Sequence, residues 1–94
     1  MSYKLNIDPK VFQDIDKHIK SGDKKLATKV VAFFDELKEH PRSGTGKPER
    51  LKGYAPEREM WSRRIDSKNR LIYQIKEQEL VVIAVAAYGH YDDK

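Results

Sequence analysis

Three side chains suited to acid–base chemistry stand at separate points in the second half of the sequence. Glu49 follows a glycine-containing stretch, Arg70 begins an apolar run, and His90 follows the last apolar run, LVVIAVAA. A carboxylate can accept a proton, an imidazole with an ordinary pKa of about 6.5 can donate one at neutral pH, and a guanidinium can pair with two phosphate oxygens. These groups are suited to cleaving RNA by attack of the substrate's own 2′-hydroxyl.

That reaction needs a base for the hydroxyl proton, an acid for the departing 5′-oxygen, and cations for the charge of the phosphorane. We assign these roles to Glu49, His90 and Arg70, in that order. A well-placed acid or base gives roughly 10²–10⁴ in rate and an aimed cation roughly 10²–10³, so neither a metal nor another cofactor is expected. Supporting contacts to substrate are expected from Lys52, Arg64 and Tyr91.

The positive charge is concentrated in one third of the chain. The formal net charge is +4, but residues 42–70 hold nine Lys or Arg against four acids, and the remaining residues sum to −1. A basic patch of this kind indicates a polyanionic partner. From charge alone, a solvated basic loop explains the pattern equally well.

The length and composition exclude several classes of protein. A chain of 94 residues with 38% hydrophobic and 36% charged residues predicts one globular domain, residues 1–94. No apolar run approaches the roughly 20 residues that span a bilayer, and the first residues lack a secretory pattern, so we expect a cytoplasmic protein. There is no cysteine, and His18 and His40 have no partner at metal-ligand spacing, so no metal site is expected.

The hydrophobic pattern predicts an α+β fold. YKLNI (3–7) alternates weakly, as in a short strand, and two amphipathic helices follow it before Pro41, with Asp8 and Asp23 as their expected N-caps. Three later runs predict antiparallel strands: EMWSRRI (59–65), RLIYQIK (70–76) and LVVIAVAAY (80–88). We expect the N-terminal strand and the α-helical hairpin to pack on one face of a small, mostly antiparallel sheet. The apolar stripe of the first helix is expected to be Val11, Phe12, Ile15 and Ile19, with His18 on the charged face.

The core-facing residues constrain the register of the first hairpin. Trp61 and Ile65 should share a face with Leu71 and Tyr73, which requires an odd number of residues in the connection. That register places Arg64 and Arg70 together on the opposite face. Arg63 then falls on the core face, where we expect it to extend to solvent or to lie near the sheet edge.

The segments GKPERLK, WSRRI, NRLIYQI and the terminal HY occur in this order within residues 46–91. The combination resembles the YoeB/Txe toxins of bacterial toxin–antitoxin modules, within the RelE-like superfamily. The resemblance implies one RelE-like toxin domain, an mRNA endonuclease that acts at the ribosomal A site. It also implies a Phd/YefM-type antitoxin that holds the nuclease inactive.

The resemblance assigns the same roles to the same residues. Glu49 in KPE is similar to the family's general base, Arg70 in NRLIY to its phosphate-stabilising arginine, and His90 to its general acid. The residues similar to the family's supporting substrate-binding positions are Lys52, Arg64 and Tyr91. The chain departs from the family in a longer loop before Trp61 and in Gly89, where a bulky residue often precedes the histidine.

Two other functions fit the same fold. A ParE-like inhibitor of DNA gyrase would cleave nothing, and its mode of action needs no proton donor such as the terminal histidine. A non-catalytic RNA- or ribosome-binding module would also be basic, with salt-dependent binding. Association of two copies of the chain is a further possibility that the sequence leaves open.

Overall fold

The structure is a computed structural model that describes residues 2–87. Its elements are β1 Lys4–Ile7, α1 Pro9–Lys20, α2 Lys24–Glu39, β2 Glu49–Arg50, β3 Glu59–Arg64, β4 Arg70–Lys76, a 3-10 turn Glu77–Glu79, and β5 Val81–Ala86. Within this part of the chain, no helix combines the length and apolar character that crossing a membrane requires.

The two helices begin where the sequence predicts them. The Asp8 side chain accepts the N–H of Lys10 at 2.8 Å ahead of the proline that starts α1, and the Asp23 side chain accepts the N–H of Leu26 at 3.1 Å. Both are N-caps that satisfy backbone donors at a helix start. Gly22, with φ at 96°, provides the left-handed residue that reverses the chain between them.

Within residues 2–87 the sheet has five strands, in the order β1-β5-β4-β3-β2. β1 is parallel to β5, and the other three pairs are antiparallel. Both helices pack on one face, so the predicted α+β architecture is confirmed. The short strand β2 was not predicted, because the sequence placed Glu49 and Arg50 in a loop.

The register of the β3–β4 hairpin confirms the predicted odd connection. Five residues, 65–69, join the strands, and Arg64 lies directly across from Arg70. Strand β5 contains one irregularity: Tyr73 pairs with Ala84 but Ile72 pairs with Ala86, so β5 has an extra residue there.

The core lies between the helices and one face of the sheet. It is built from Leu71, Tyr73, Val82 and Ala84 on the strands and from residues such as Val11, Leu26, Val30, Phe33 and Leu37 on the helices. We call the other face of the sheet the open face; it carries Ser62, Arg64, Arg70 and Gln74, with Glu49 at its β2 edge.

The predicted inner stripe of α1 is partly wrong. Phe12 and Ile19 are 55% and 41% exposed, whereas Asp14 and His18 are buried beside Val11. The expectation that His18 lies on a charged, exposed face is therefore wrong as well. The helix is rotated from the predicted orientation, so that positions 11, 14 and 18 face the sheet.

Arg63 is fully buried on the core face, so the expectation that it extends to solvent is wrong. Its guanidinium forms an ion pair with Glu36 and does not contact solvent, and backbone carbonyls accept hydrogen bonds from both of its Nη atoms. Nη2 donates to His40 O at 2.6 Å and to Ser43 O at 2.7 Å, and Nη1 donates to Thr45 O at 3.1 Å.

The buried arginine is also linked to the sheet. Its Nε donates to the Tyr73 hydroxyl at 3.2 Å, and that hydroxyl donates to Pro41 O at 2.8 Å. Burial raises the pKa of Tyr73, so the phenol keeps its proton at neutral pH and can act as the donor. The segment that follows α2 is thus tied to the middle of the sheet.

Replacement of Arg63 should destabilise the protein far more than replacement of its neighbour. In Arg63→Met the Glu36 carboxylate loses its cationic partner and three loop carbonyls lose the donor that Arg63 supplies, so we expect the free energy of unfolding to fall by about 3–5 kcal/mol. Arg64→Met, the control, removes an exposed guanidinium and should change it by less than about 0.5 kcal/mol. Urea denaturation measures both. Equal stabilities of the two variants would contradict the structural role of Arg63.

Candidate functional site

The glycine loop, residues 40–48, connects α2 to β2 and has a fixed path. The Glu36 carboxylate accepts the Thr45 N–H at 2.9 Å and the Thr45 hydroxyl at 2.7 Å. A Cβ on Gly44 would lie 2.1 Å from a Glu36 oxygen, and a Cβ on Gly46 would lie 2.7 Å from the Phe33 ring. Both glycines have positive φ, at 117° and 81°, so the loop needs glycine at these positions.

Glu36 is the anion at the centre of this loop. Burial alone would raise its pKa, but the hydrogen bonds from Thr45 and Arg63 outweigh the burial and hold the pKa below its ordinary value. The carboxylate is therefore charged at neutral pH. It neutralises Arg63 and fixes Thr45, four residues before Glu49.

Glu49 and Arg70 lie close together on the open face. Glu49 pairs with Ser62 between β2 and β3, and Ser62 in turn pairs with Ile72 between β3 and β4. This arrangement leaves Glu49 Oε1 3.6 Å from Arg70 Nη1. The side chains are 68% and 32% exposed, so both can reach a ligand from solvent. The distance is that of an ion pair and is too long for a hydrogen bond.

Ser62 is a site residue that its sequence context does not identify as functional. It is 1% exposed, and its hydroxyl lies 3.5 Å from Arg70 Nη1 at the limit of a hydrogen bond. It is also the cross-strand neighbour of Glu49. Strand alternation could have identified it: Ser62 lies two residues before Arg64 in β3, so the two side chains share the open face.

Arg64 adds a second guanidinium to the open face. Its side chain is exposed, and its residue lies directly across from Arg70. Like charges in this position repel each other and favour a bound anion. The Arg64 N–H donates to Gly46 O at 2.6 Å, which joins this strand to the glycine loop.

The remaining predicted site residues are Lys52, His90 and Tyr91. Lys52 is exposed in a bend just beyond β2, outside the Glu49–Arg70 pair. His90 and Tyr91 lie outside the described residues. Strand β5 runs antiparallel to β4 and pairs Ala86 with Ile72, so the described chain ends beside the part of β4 that holds Arg70.

Part of the basic stretch serves structure rather than the open face. Arg42 donates to Glu59 at 2.7 and 3.0 Å and to Glu77 at 2.9 Å. The hydrogen bonds from Arg42 lower the pKa of Glu59, and Tyr3 also donates to Glu77. Arg42 and Arg63 are therefore neutralised internally, and the sequence count overstates the charge available to a partner.

No group of three His, Cys, Asp or Glu side chains within residues 2–87 is arranged to hold a metal ion. The chemistry visible in these residues is that of a carboxylate, two guanidiniums and a hydroxyl. This set can bind an anion and accept a proton.

Glu36→Gln should change how stability depends on pH. Since the pKa of Glu36 is lower in the folded chain, the unfolded chain binds the proton first as the pH falls below about 4.5, and stability is lost there. The variant should be less stable at pH 7 by about 1–3 kcal/mol and should lose less stability between about pH 5 and pH 3. Urea denaturation across this range measures both effects.

Glu39→Gln makes the same change of charge at an exposed position of the same helix. It should alter the free energy of unfolding at pH 7 by less than about 0.5 kcal/mol. A Glu36→Gln variant that loses stability in acid as steeply as the parent would contradict the role given to this carboxylate.

Comparison with known proteins identifies the family of this chain. Residues 7–91 match the model of the YoeB-like toxin of bacterial type II toxin-antitoxin systems. A curated relative, Toxin YoeB of Mycobacterium bovis, is 34% identical over 87 residues, which cover 93% of this chain and 96% of that protein.

Solved structures show the same fold. The YoeB/ParE toxin from Agrobacterium tumefaciens has a TM-score of 0.78 and 27% identity, over 94% of this chain and 99% of its own. Two structures of YoeB from Staphylococcus aureus, a dimer and a heterotetramer with YefM, have TM-scores of 0.75 and 0.71. Both are 26% identical and cover 97% of this chain and 100% of theirs. This chain belongs to the family of YoeB-like toxins of bacterial type II toxin–antitoxin systems.

Proposed function

We propose that this toxin is a ribosome-dependent mRNA endoribonuclease, which inhibits translation by cleaving mRNA in the ribosomal A site. The observation that carries the proposal is the pair formed by Glu49 and Arg70 on the open face. The two residues are 21 positions apart, yet an acid suited to be a base lies 3.6 Å from a cation suited to hold phosphate. Arg64 lies across from that cation, so an anionic group there would meet two guanidiniums.

The reaction follows from the groups present. Glu49 takes the proton of the 2′-hydroxyl as the 2′-oxygen forms its bond to phosphorus. Arg70 and Arg64 stabilise the charge that accumulates on the phosphorane. The bond from phosphorus to the 5′-oxygen then breaks, and His90 gives its proton to that oxygen. The products are a 2′,3′-cyclic phosphate and a 5′-hydroxyl, and no metal or cofactor takes part.

Substrate binding would also prepare the base. In the free protein, Glu49 is paired with Arg70 in a solvent-exposed ion pair, an interaction worth at most about 1 kcal/mol. A phosphate that takes the two donors of the Arg70 fork displaces the carboxylate and leaves it free to accept a proton. Lys52 and Tyr91 would hold the flanking nucleotide by charge and by stacking.

The carboxylate favours cleavage over the two alternatives. A surface that only binds RNA or a ribosome gains nothing from Glu49, because a carboxylate repels the phosphate that Arg70 attracts. A ParE-like inhibitor of DNA gyrase has no use for the base, nor for His90 as an acid. Both alternatives leave the Glu49–Arg70 pair unexplained.

The partners follow from the relatives. Staphylococcus aureus YoeB forms a heterotetramer with YefM and is also known as a dimer. We infer that this toxin is held inactive by a Phd/YefM-type antitoxin and is able to form a homodimer. The basic open face suits an acidic antitoxin segment that folds on binding, and action on ribosomes places the protein in the bacterial cytoplasm.

Substitution of the three proposed catalytic residues should abolish cleavage. We expect Glu49→Gln, Arg70→Ala and His90→Ala each to reduce cleavage of translated mRNA by roughly 10²–10⁴, since each removes a base, a cation or an acid. Primer extension on mRNA in a cell-free translation system measures the cut. Chemical analysis of the ends should find a 2′,3′-cyclic phosphate for the parent.

Two substitutions serve as matched controls. Arg50→Ala removes the guanidinium of the residue next to Glu49; Arg50 pairs with Trp61, so it lies on the face of β2 opposite to Glu49. Glu57→Gln removes an exposed carboxylate from the loop that follows β2. Both should cleave within about threefold of the parent, and all variants should bind antitoxin. Parent-level cleavage by all three catalytic variants would overturn the proposal. Broken DNA with intact mRNA would instead favour the gyrase inhibitor.

A further inference from the structure

Two ionisable side chains of α1 are buried at positions where apolar packing of the core does not require a polar group. Asp14 is 2% exposed and His18 is 7% exposed, and they lie one helical turn apart on the stripe that faces the sheet. Burying polar groups costs free energy unless they are hydrogen-bonded, and apolar residues would fill these positions at lower cost. Their presence therefore calls for a specific partner.

Both side chains hydrogen-bond to the backbone of Ala87. The Ala87 N–H donates to Asp14 Oδ2 at 3.0 Å, and His18 Nε2 lies 3.0 Å from Ala87 O. Since a carbonyl oxygen only accepts, His18 Nε2 must carry the proton and donate. Lys10 Nζ, at 3.0 and 3.1 Å, supports the Asp14 carboxylate from solvent. Both polar backbone groups of one fully buried residue are thus held by one helix.

Ala87 lies just beyond the strand pairing of the described residues. The described pairing of β1 with β5 ends at Ala84, whose carbonyl accepts the Asp8 N–H at 2.9 Å. The described pairing of β4 with β5 ends at Ala86. Asp14 and His18 continue the hydrogen bonding of β5 by one residue, from the helix side.

We propose that Asp14 and His18 are positioning residues for the proposed nuclease, and that they act by fixing the point from which the chain leads to His90. The inference rests on the proposed function. His90 follows Ala87 by three residues, and three residues span at most about 11 Å. The position of Ala87 therefore limits where the His90 imidazole can lie, and a shift of Ala87 would move that range. A misplacement of about 1 Å can cost a reaction roughly 100-fold.

The test uses variants that either keep or remove each hydrogen bond. His18→Gln places an amide donor near the position of Nε2, whereas His18→Asn is too short to reach Ala87 O, and His18→Leu removes the donor. Asp14→Asn keeps an acceptor for the Ala87 N–H, and Asp14→Leu removes it. Asp16→Leu, at an exposed acid of the same helix, controls for the loss of a carboxylate.

Single-turnover cleavage of mRNA on programmed ribosomes gives the rate of the chemical step and the apparent affinity separately. We expect His18→Leu, His18→Asn and Asp14→Leu to lower the rate by roughly 10- to 100-fold, with the affinity within about twofold. His18→Gln and Asp14→Asn should retain most of the rate, and Asp16→Leu should equal the parent. Circular dichroism and antitoxin binding establish that each variant is folded.

The outcomes separate this inference from the proposed function. A parent whose cleavage depends on His90, together with folded His18→Leu and Asp14→Leu variants of full activity, overturns only the positioning role. Equal rates for His18→Gln and His18→Asn overturn it too, and this comparison of two polar variants remains available if the leucine variants fail to fold. A parent that cleaves no mRNA overturns the proposed function and this inference with it.

Discussion

The position of the proposed base depends on a cation that never meets solvent. Arg63 lies in the core with its guanidinium 5.7 Å from the Phe33 ring, and a buried charge of this kind is tolerated only when every donor is satisfied. Glu36 neutralises it, and carbonyls of the glycine loop and the Tyr73 hydroxyl accept hydrogen bonds from its other donors. The loop has little regular backbone hydrogen bonding of its own, so the hydrogen bonds from Arg63 hold its backbone in place instead. Glu49 begins the strand that follows.

Strand alternation gives the two adjacent arginines opposite roles. Successive side chains of β3 point to opposite faces, so Arg63 enters the core while Arg64 reaches the open face. The same strand therefore ties down the glycine loop and presents a cation beside Arg70. A shift of register by one residue would exchange the two roles, leaving the loop without its donor and the open face without its charge.

The sequence predicted the features that local or periodic signals determine. Caps, amphipathic spacing and the matched apolar sets were sufficient for both helices, four of the five strands and the β3–β4 register. The orientation of α1 was not predictable from the hydrophobic pattern, because Phe12 and Ile19 are more apolar than Asp14 and His18. The hydrogen bonds that hold the polar pair inside involve Ala87, which is far away in sequence. Strand β2 has two residues, too few for any periodic signal. The closeness of Glu49 to Arg70 depends on that strand. It could therefore be predicted only from the chemistry of the two side chains or from the family resemblance.

The two helices support the open face from the opposite side of the sheet. They cannot touch that face, because the sheet lies between them and it. Instead each helix contributes charged or polar groups that hold backbone next to the described strands. Glu36 of α2 holds the glycine loop, and Asp14 and His18 of α1 hold Ala87, the residue after β5. Apolar packing fixes the distance between layers but constrains a loop weakly, since it has no direction. Hydrogen bonds to a carboxylate or an imidazole are directional. Directional contacts are needed to place Glu49 against Arg70, because the two residues are 21 positions apart in the sequence.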